Sequence, residues 1–256
     1  MRSREAVLET YELFNRRVLV AQRTDAPPAI DGKLTDRCWQ SAPAAELHGF
    51  CPNFYCFGWP APEPEKRTTV QVCYDERAIY LAVACYEPKM ADVKSAADLA
   101  SGAGQVRPVA EHTMDLGDFG PWQKIVLRPT QSADQETMIP VADCVEVFIG
   151  TPQGGPEYLR FSIDVAGATC DARAPAHDGE RLFDPRLWDG QWTAKVSRSS
   201  DLWTAELAIP WATLGFNPVP GHRLRFDVHR NLTPSPSRQC FSRYVGKWNA
   251  GQLMVE

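Results

Sequence analysis

No stretch of this sequence approaches the roughly 20 consecutive apolar residues that a membrane-crossing helix needs, so a helical membrane span is excluded. Basic residues are in deficit: 27 Lys and Arg stand against 32 Asp and Glu, for a net charge of −5. Phosphate recognition needs a concentrated basic patch, and these cations are dispersed among acids, which argues against a nucleic-acid partner. Cysteine is sparse. Eight in 256 residues are too dilute for a disulfide scaffold, and Cys73, Cys85, Cys144 and Cys170 sit in or beside strand-like runs, where a free thiol serves as a small hydrophobe. The trio His48, Cys51 and Cys56 has the chemistry to bind a metal, or Cys51 and Cys56 to bridge, yet it lacks a second ligand pair at usable spacing. Nor is there the apolar core of a secretory leader: Glu5, Glu9 and Glu12 interrupt the first residues, and 1–16 read as a short amphipathic helical extension.

What is present is an ordinary globular composition, 44% apolar and 23% charged, enough for one large core in a single domain over residues 17–256. Its centre of organisation is Asp143 to Gly150. Val145, Val147 and Ile149 alternate with Cys144, Glu146 and Phe148, so an extended strand here has one wholly apolar face and one face with a single carboxylate. Two later runs repeat the apolar half. Phe161, Ile163 and Val165 alternate with Ser162 and Asp164, and Leu224, Phe226 and Val228 alternate with Arg225, Asp227 and His229. Strands sharing one sheet would carry Glu146, Ser162, Asp164, Asp227 and His229 on its open face, which is therefore the candidate site.

The rest of the chain reads as short strands between turn signals. Arg17 to Gln22 is a strand, Asp31-Gly32 a turn, and Thr35 or Asp36 caps a helical turn that buries Trp39. Gly49 to Pro64 is a proline- and aromatic-rich loop containing Phe50, Phe54, Tyr55, Phe57 and Trp59, whose rings either stack on a ligand or fold back as a lid. Thr68–Tyr74 and Ile79–Tyr86 form a hairpin around Asp75 to Ala78. Residues 88–142 read as an inserted excursion with a short helix within 91–103 and a strand at Trp122 to Leu127. After a return strand, Ala172 to Arg186 reads as loop. Trp192, Ala194 and Val196, then Trp203, Ala205, Leu207 and Ile209, resume alternation, with Glu206 on the opposite face; Trp211 to Leu214 is a helical turn ended by Gly215. Phe241 to Tyr244 and Gln252 to Val255 close the chain as strands flanking Trp248. About nine such strands predict an all-β fold, an antiparallel β-sandwich of jelly-roll or immunoglobulin-like type with a short N-terminal helix and the 88–142 insertion.

The order of landmarks resembles the family 9 carbohydrate-binding modules: Ile30-Asp31-Gly32 with Trp39, Val70 to Asp75 with Ile79 to Val83, Asp143 to Ile149, and Trp203 to Trp211. The resemblance covers about Arg17 to Glu256. It implies a jelly-roll sandwich attached to glycoside hydrolases such as xylanases, an extracytoplasmic location, and calcium in some members. It also implies a terminal sugar gripped between two tryptophans and hydrogen-bonded from the sheet, with Glu146, the pair Ser162 and Asp164, and His229 at the polar positions. Ser162 and Asp164 stand where sugar-binding members carry arginine and asparagine, and no tryptophan precedes the Asp143 strand near Pro140. Trp122 in the insertion, and Tyr244 or Trp248 in the final loop, are the aromatic candidates to supply the rings.

The function expected on these grounds is non-catalytic binding of an oligo- or polysaccharide end. Two rival classes are a glycoside hydrolase pairing Glu146 with Asp164 or Asp227, since cleavage needs two carboxyls about 5 to 9 Å apart, and an interaction or structural module that docks through its aromatic loop. A Ser162, His229 and Asp227 triad is weaker, because no sharp turn presents the serine. Calcium is the cofactor to consider, with Asp171, Asp178, Asp184 and Asp189 as loop acids of suitable chemistry.

Overall fold

The computed structural model describes residues 18–49, 66–101, 139, 142–150, 157–175, 188–233, 237–241 and 251–256. The expected helix over 1–16, the aromatic loop from Phe50 to Trp59, the strand at Trp122 to Leu127, and Trp122, Tyr244 and Trp248 themselves lie outside the described residues, as do Cys51, Cys56, Asp178 and Asp184.

Thirteen strands are formed among the described residues. They are β1 (Val18–Arg23), β2 (Ala45–Glu46), β3 (His48–Gly49), β4 (Thr68–Tyr74), β5 (Ala78–Tyr86), β6 (Cys144–Gly150), β7 (Glu157–Asp164), β8 (Thr169–Pro175), β9 (Thr193–Arg198), β10 (Leu202–Pro210), β11 (Arg223–Leu232), β12 (Ser237–Cys240) and β13 (Gly251–Val255). Three short helices accompany them: α1 (Arg37–Ser41), α2 (Ala96–Ser101) and α3 (Trp211–Leu214). The hydrogen-bonded order is β8-β7-β6-β11-β13-β1-β4-β5-β10-β9. The first sheet runs from β8 to β1 and the second from β1 to β9. β1 belongs to both: Val18 to Ala21 pair with β13, and Gln22 and Arg23 pair with β4. Both pairings are parallel, whereas every other pairing is antiparallel. The result is a nearly closed β-sandwich whose seam lies between β8 and β9.

The core sits between the sheets and is built from the inward sets that alternation assigns. Val145, Val147 and Ile149, Phe161, Ile163 and Val165, and Leu224, Phe226 and Val228 meet Val70, Val72, Leu81, Val83, Trp203, Ala205, Leu207 and Ile209. Each apolar side chain removed from water contributes about 1.5–3 kcal/mol, so these sets fix which way their own strands face. The β4–β5 hairpin forms as predicted; the Asp75 carboxylate accepts the Arg77 and Ala78 amides at 2.7 and 2.9 Å and shapes its turn.

Trp39 is buried as expected, on the outer face of the second sheet, where Cys38 and Trp39 of α1 cover Cys73, Tyr80 and Ala82. The buried Glu206 ties this cover down. It accepts the Trp39 indole at 2.7 Å and the amides of Asp31 and Gly32 at 3.0 and 2.8 Å, while burial pushes its carboxyl above the ordinary range. Gly32 is required there: its φ is +84°, and an added Cβ would stand 2.5 Å from the Val196 carbonyl carbon.

Two expectations change. β8 continues through Pro175, where the sequence reads as loop from Ala172. Its apolar Cys170 and Ala172 face outward and Asp171 faces the core side opposite Phe161, so the strand carries an inverted pattern at the sheet edge. Asp171 is accordingly a strand residue rather than a loop acid. The last strands are β12 and β13, and β12 lies before Phe241 rather than beginning at it.

Candidate functional site

Register decides which predicted residues meet. On the outer face of the first sheet, β7, β6 and β11 place Ser162, Glu146 and His229 in one row; the next row holds Arg160, Phe148 and Asp227, and the row on the other side Asp164, Cys144 and Asn231. Neighbouring strands lie about 4.8 Å apart, so Glu146 is flanked directly by a hydroxyl and an imidazole.

The five polar residues share a face, but that face is closed. Exposure is 2% for Glu146, 0% for Ser162 and Asp164, 5% for Asp227 and 3% for His229. The expectation of an open sheet face is corrected accordingly. Long neighbours on the same face fill the space beside the carboxylates. The Phe148 ring lies 4.6 Å from the His229 ring, Arg160 Nη1 lies 3.6 Å from Glu146 Oε1, and Asn231 Nδ2 donates to Glu146 Oε2 at 2.9 Å. His229 Nε2 is 3.4 Å from Asp227 Oδ2, whose other oxygen accepts the Val228 amide at 2.9 Å. The Ser162 hydroxyl is buried with no hydrogen-bond partner among the described residues.

Asp164 has a structural assignment. Its Oδ1 accepts the amides of Ala166 and Ala168 at 2.9 and 2.8 Å, and its Oδ2 accepts the Ala96 amide at 2.8 Å. It organises the β7–β8 turn and docks α2, leaving Glu146 and Asp227 as the carboxylates of the candidate site.

Arg160 and Asn231 were missed as site residues. Both share the parity of residues already assigned outward, so continuing the alternation one step along β7 and β11 finds them. The opposite parity hides a second polar cluster between the sheets. Arg230 continues the inward series of β11 and is fully buried; it lies 3.4 Å from Asp143 Oδ1, donates to the Tyr86 carbonyl at 2.9 Å and stands 3.8 Å from Glu87. Trp203 Nε1 also donates to Asp143, at 3.1 Å. Burial pushes the Asp143 carboxyl up, and Arg230 opposes that shift.

Asp171 is engaged by the Trp192 indole at 2.6 Å and, more weakly, by the Gly190 amide, and no group of three or more His, Cys, Asp or Glu side chains comes together among the described residues.

No family model and no curated protein matches the sequence. Solved structures do match. A carbohydrate binding module of family 9 from Caldicellulosiruptor kristjanssonii in complex with glucose aligns at 14% identity and a TM-score of 0.54, over 94% of this chain and 96% of that one. The same module in complex with cellotriose aligns at 14% identity and 0.54, over 94% and 93%. A Bacteroides uniformis protein provisionally described as carbohydrate-binding aligns at 16% identity and 0.57, over 94% and 99%. At this identity the likeness is one of fold. Over nearly its whole length the chain has the β-sandwich architecture of these domains.

Proposed function

We propose that this chain is a non-catalytic carbohydrate-binding module that takes the end of an oligo- or polysaccharide on the outer face of the first sheet. In this reading it serves polysaccharide breakdown beside a glycoside hydrolase, outside the cytoplasm. The observation that carries it is the row Ser162, Glu146 and His229, with Arg160, Asn231 and Asp227 around it. Carboxylate, imidazole, hydroxyl, guanidinium and amide groups on rigid neighbouring strands offer the mixed donors and acceptors that a sugar's hydroxyls require. Phe148, half-buried against His229, offers an apolar ring face at the same place. The fold likeness to modules with bound glucose and cellotriose supports the same reading.

Because the row is nearly inaccessible, a sugar reaches it only after side chains move. That work is subtracted from the contact energy, and the expected Kd is weak, on the order of 1 mM. The test is calorimetric titration with glucose, cellotriose and a panel of other mono-, oligo- and polysaccharides, on the wild type and on Glu146→Ala, Trp122→Ala and Trp248→Ala. Saturable binding that weakens roughly tenfold or more in Glu146→Ala, with the variant still folded, is the expected outcome.

The burial of the row favours a second reading, a structural or interaction module with no sugar ligand, and absence of saturable binding to every saccharide would select it. A glycoside hydrolase using Glu146 loses Asp164 as its second acid, because three backbone amides already occupy that carboxylate.

A further inference from the structure

Strand β4 turns Gln71 and Cys73 to the outer face of the second sheet, since Val70, Val72 and Tyr74 face the core. Register sets two rows there. Gln71, Ala82 and Glu206 stand side by side in one, and Cys73, Tyr80 and Ala208 in the next. Helix α1 is fastened over the first row: Gln71 Nε2 donates to the Trp39 and Ala42 carbonyls at 2.6 and 2.7 Å, and the Trp39 indole donates to Glu206 at 2.7 Å. Cys38 thereby comes down on the second row, in one apolar cluster with Cys73 and Tyr80. There the Cys73 thiol donates a hydrogen bond to the Cys38 sulfur. Two thiols from separate elements are in contact, the starting arrangement for a sulfur–sulfur bond.

Burial guards the pair. Cys38 is 6% exposed and Cys73 1%, and burial holds both thiols above their ordinary range, so neither is a ready nucleophile while α1 is seated. The guard is a small one. Helix α1 has five residues, and no side chain caps its first turn. A helix this short is not stable by itself, so lifting it is a local opening rather than an unfolding of the sandwich.

We propose that Cys38 and Cys73 are an oxidisable pair that a small-molecule disulfide converts into a cross-link stapling α1 to β4. On opening, Cys38 gives its proton to water and its thiolate attacks one sulfur of the reagent, whose other half leaves as a thiolate and takes up a proton. Cys73, deprotonated in turn, attacks the Cys38 sulfur of this mixed disulfide and displaces the second half. Two protein thiols are oxidised to one disulfide, and one small disulfide is reduced to two thiols. The inference does not rest on the sugar reading, because the pair lies on the second sheet and Glu146 on the first.

The test is incubation of the intact folded chain with oxidised glutathione, followed by non-reducing peptide mapping and thermal unfolding, beside Cys38→Ala and Cys73→Ala. The wild type should yield a peptide in which Cys38 is bonded to Cys73. Its Tm should rise by about 10 °C over the reduced chain, the scale for closing a loop of roughly 36 residues in a chain of this size. Both alanine variants should lose the linked peptide and the rise. Recovery of the two residues from the oxidised folded chain as free thiols or glutathione adducts, a link that forms only in urea, or a linked chain whose Tm does not rise would each overturn the assignment. None of these outcomes bears on the outer-face reading, which is read out by Glu146→Ala.

Discussion

Ser162 stands at the β7 end of the polar row, beside Glu146, with a hydroxyl that is fully buried and has no hydrogen-bond partner among the described residues. A buried, unpaired hydroxyl costs about 1–3 kcal/mol, and a methyl group in its place carries no such cost. Ser162→Ala is therefore expected to raise the unfolding free energy by about 1 kcal/mol in urea titrations. If the sugar reading holds, the same variant binds saccharide more weakly. A gain in stability with a loss of binding is the signature of a residue kept for a ligand; a loss of stability would contradict the unpaired assignment.

Asp164 shows how one carboxylate shapes an element. It ends β7, holds the turn around Gly167, whose φ is +89°, and secures the first residue of α2. Removing it deprives three amides of their acceptor at once. At about 1 kcal/mol or more for each bond to a charged group, Asp164→Ala is expected to cost about 3 kcal/mol. Equilibrium unfolding measures the loss, and faster hydrogen exchange at Ala96, Ala166 and Ala168 would localise it. A change below about 1 kcal/mol would show that the turn holds without its anchor.

The two sheets are joined by a buried charge cluster as well as by apolar contact. Arg230 reaches from β11 of the first sheet to the Tyr86 carbonyl of the second, beside Asp143 and Glu87. Arg230→Met would leave Asp143 buried without its cation, while Lys66 stays 3.6 Å from Glu87, and breaking a buried pair from one side costs about 3–5 kcal/mol; urea denaturation of the variant tests this. Acid and base titration adds a second whole-molecule expectation. Burial raises the carboxyls of Asp143, Asp171 and Glu206 above their ordinary values of 3.8, 3.8 and 4.5. Between those values and the raised ones the folded chain binds more protons than the unfolded chain. The contribution of these three groups to stability therefore falls as pH rises through that window, and it is flat on either side. Glu206→Gln removes one of the three, so its urea midpoint should decline less steeply with pH just above 4.5 than the wild type's.

The alternation of apolar residues in β6, β7, β10 and β11 was enough to predict the strands, their inward faces and the sharing of one outer face by Glu146, Ser162, Asp164, Asp227 and His229. That period is a property of the extended backbone itself, present in each strand before any partner is chosen. Trp39, the Asp31-Gly32 turn and the β4–β5 hairpin were legible for the same reason, because their chemistry is local. Strand β8 escaped notice because its position at the seam lets Asp171 face inward against Trp192, a reversal of the usual pattern that depends on a distant indole. Arg230 escaped for a like reason: a charge is admitted between the sheets only where the bend before β6 supplies Asp143 and the end of β5 supplies the Tyr86 carbonyl. Only the tertiary structure decided that the polar face is closed and that Asp164 anchors a turn. Which carboxylate is consumed by backbone amides, and which is left beside an imidazole, depends on register between strands far apart in the chain, and no periodicity within one strand contains that information.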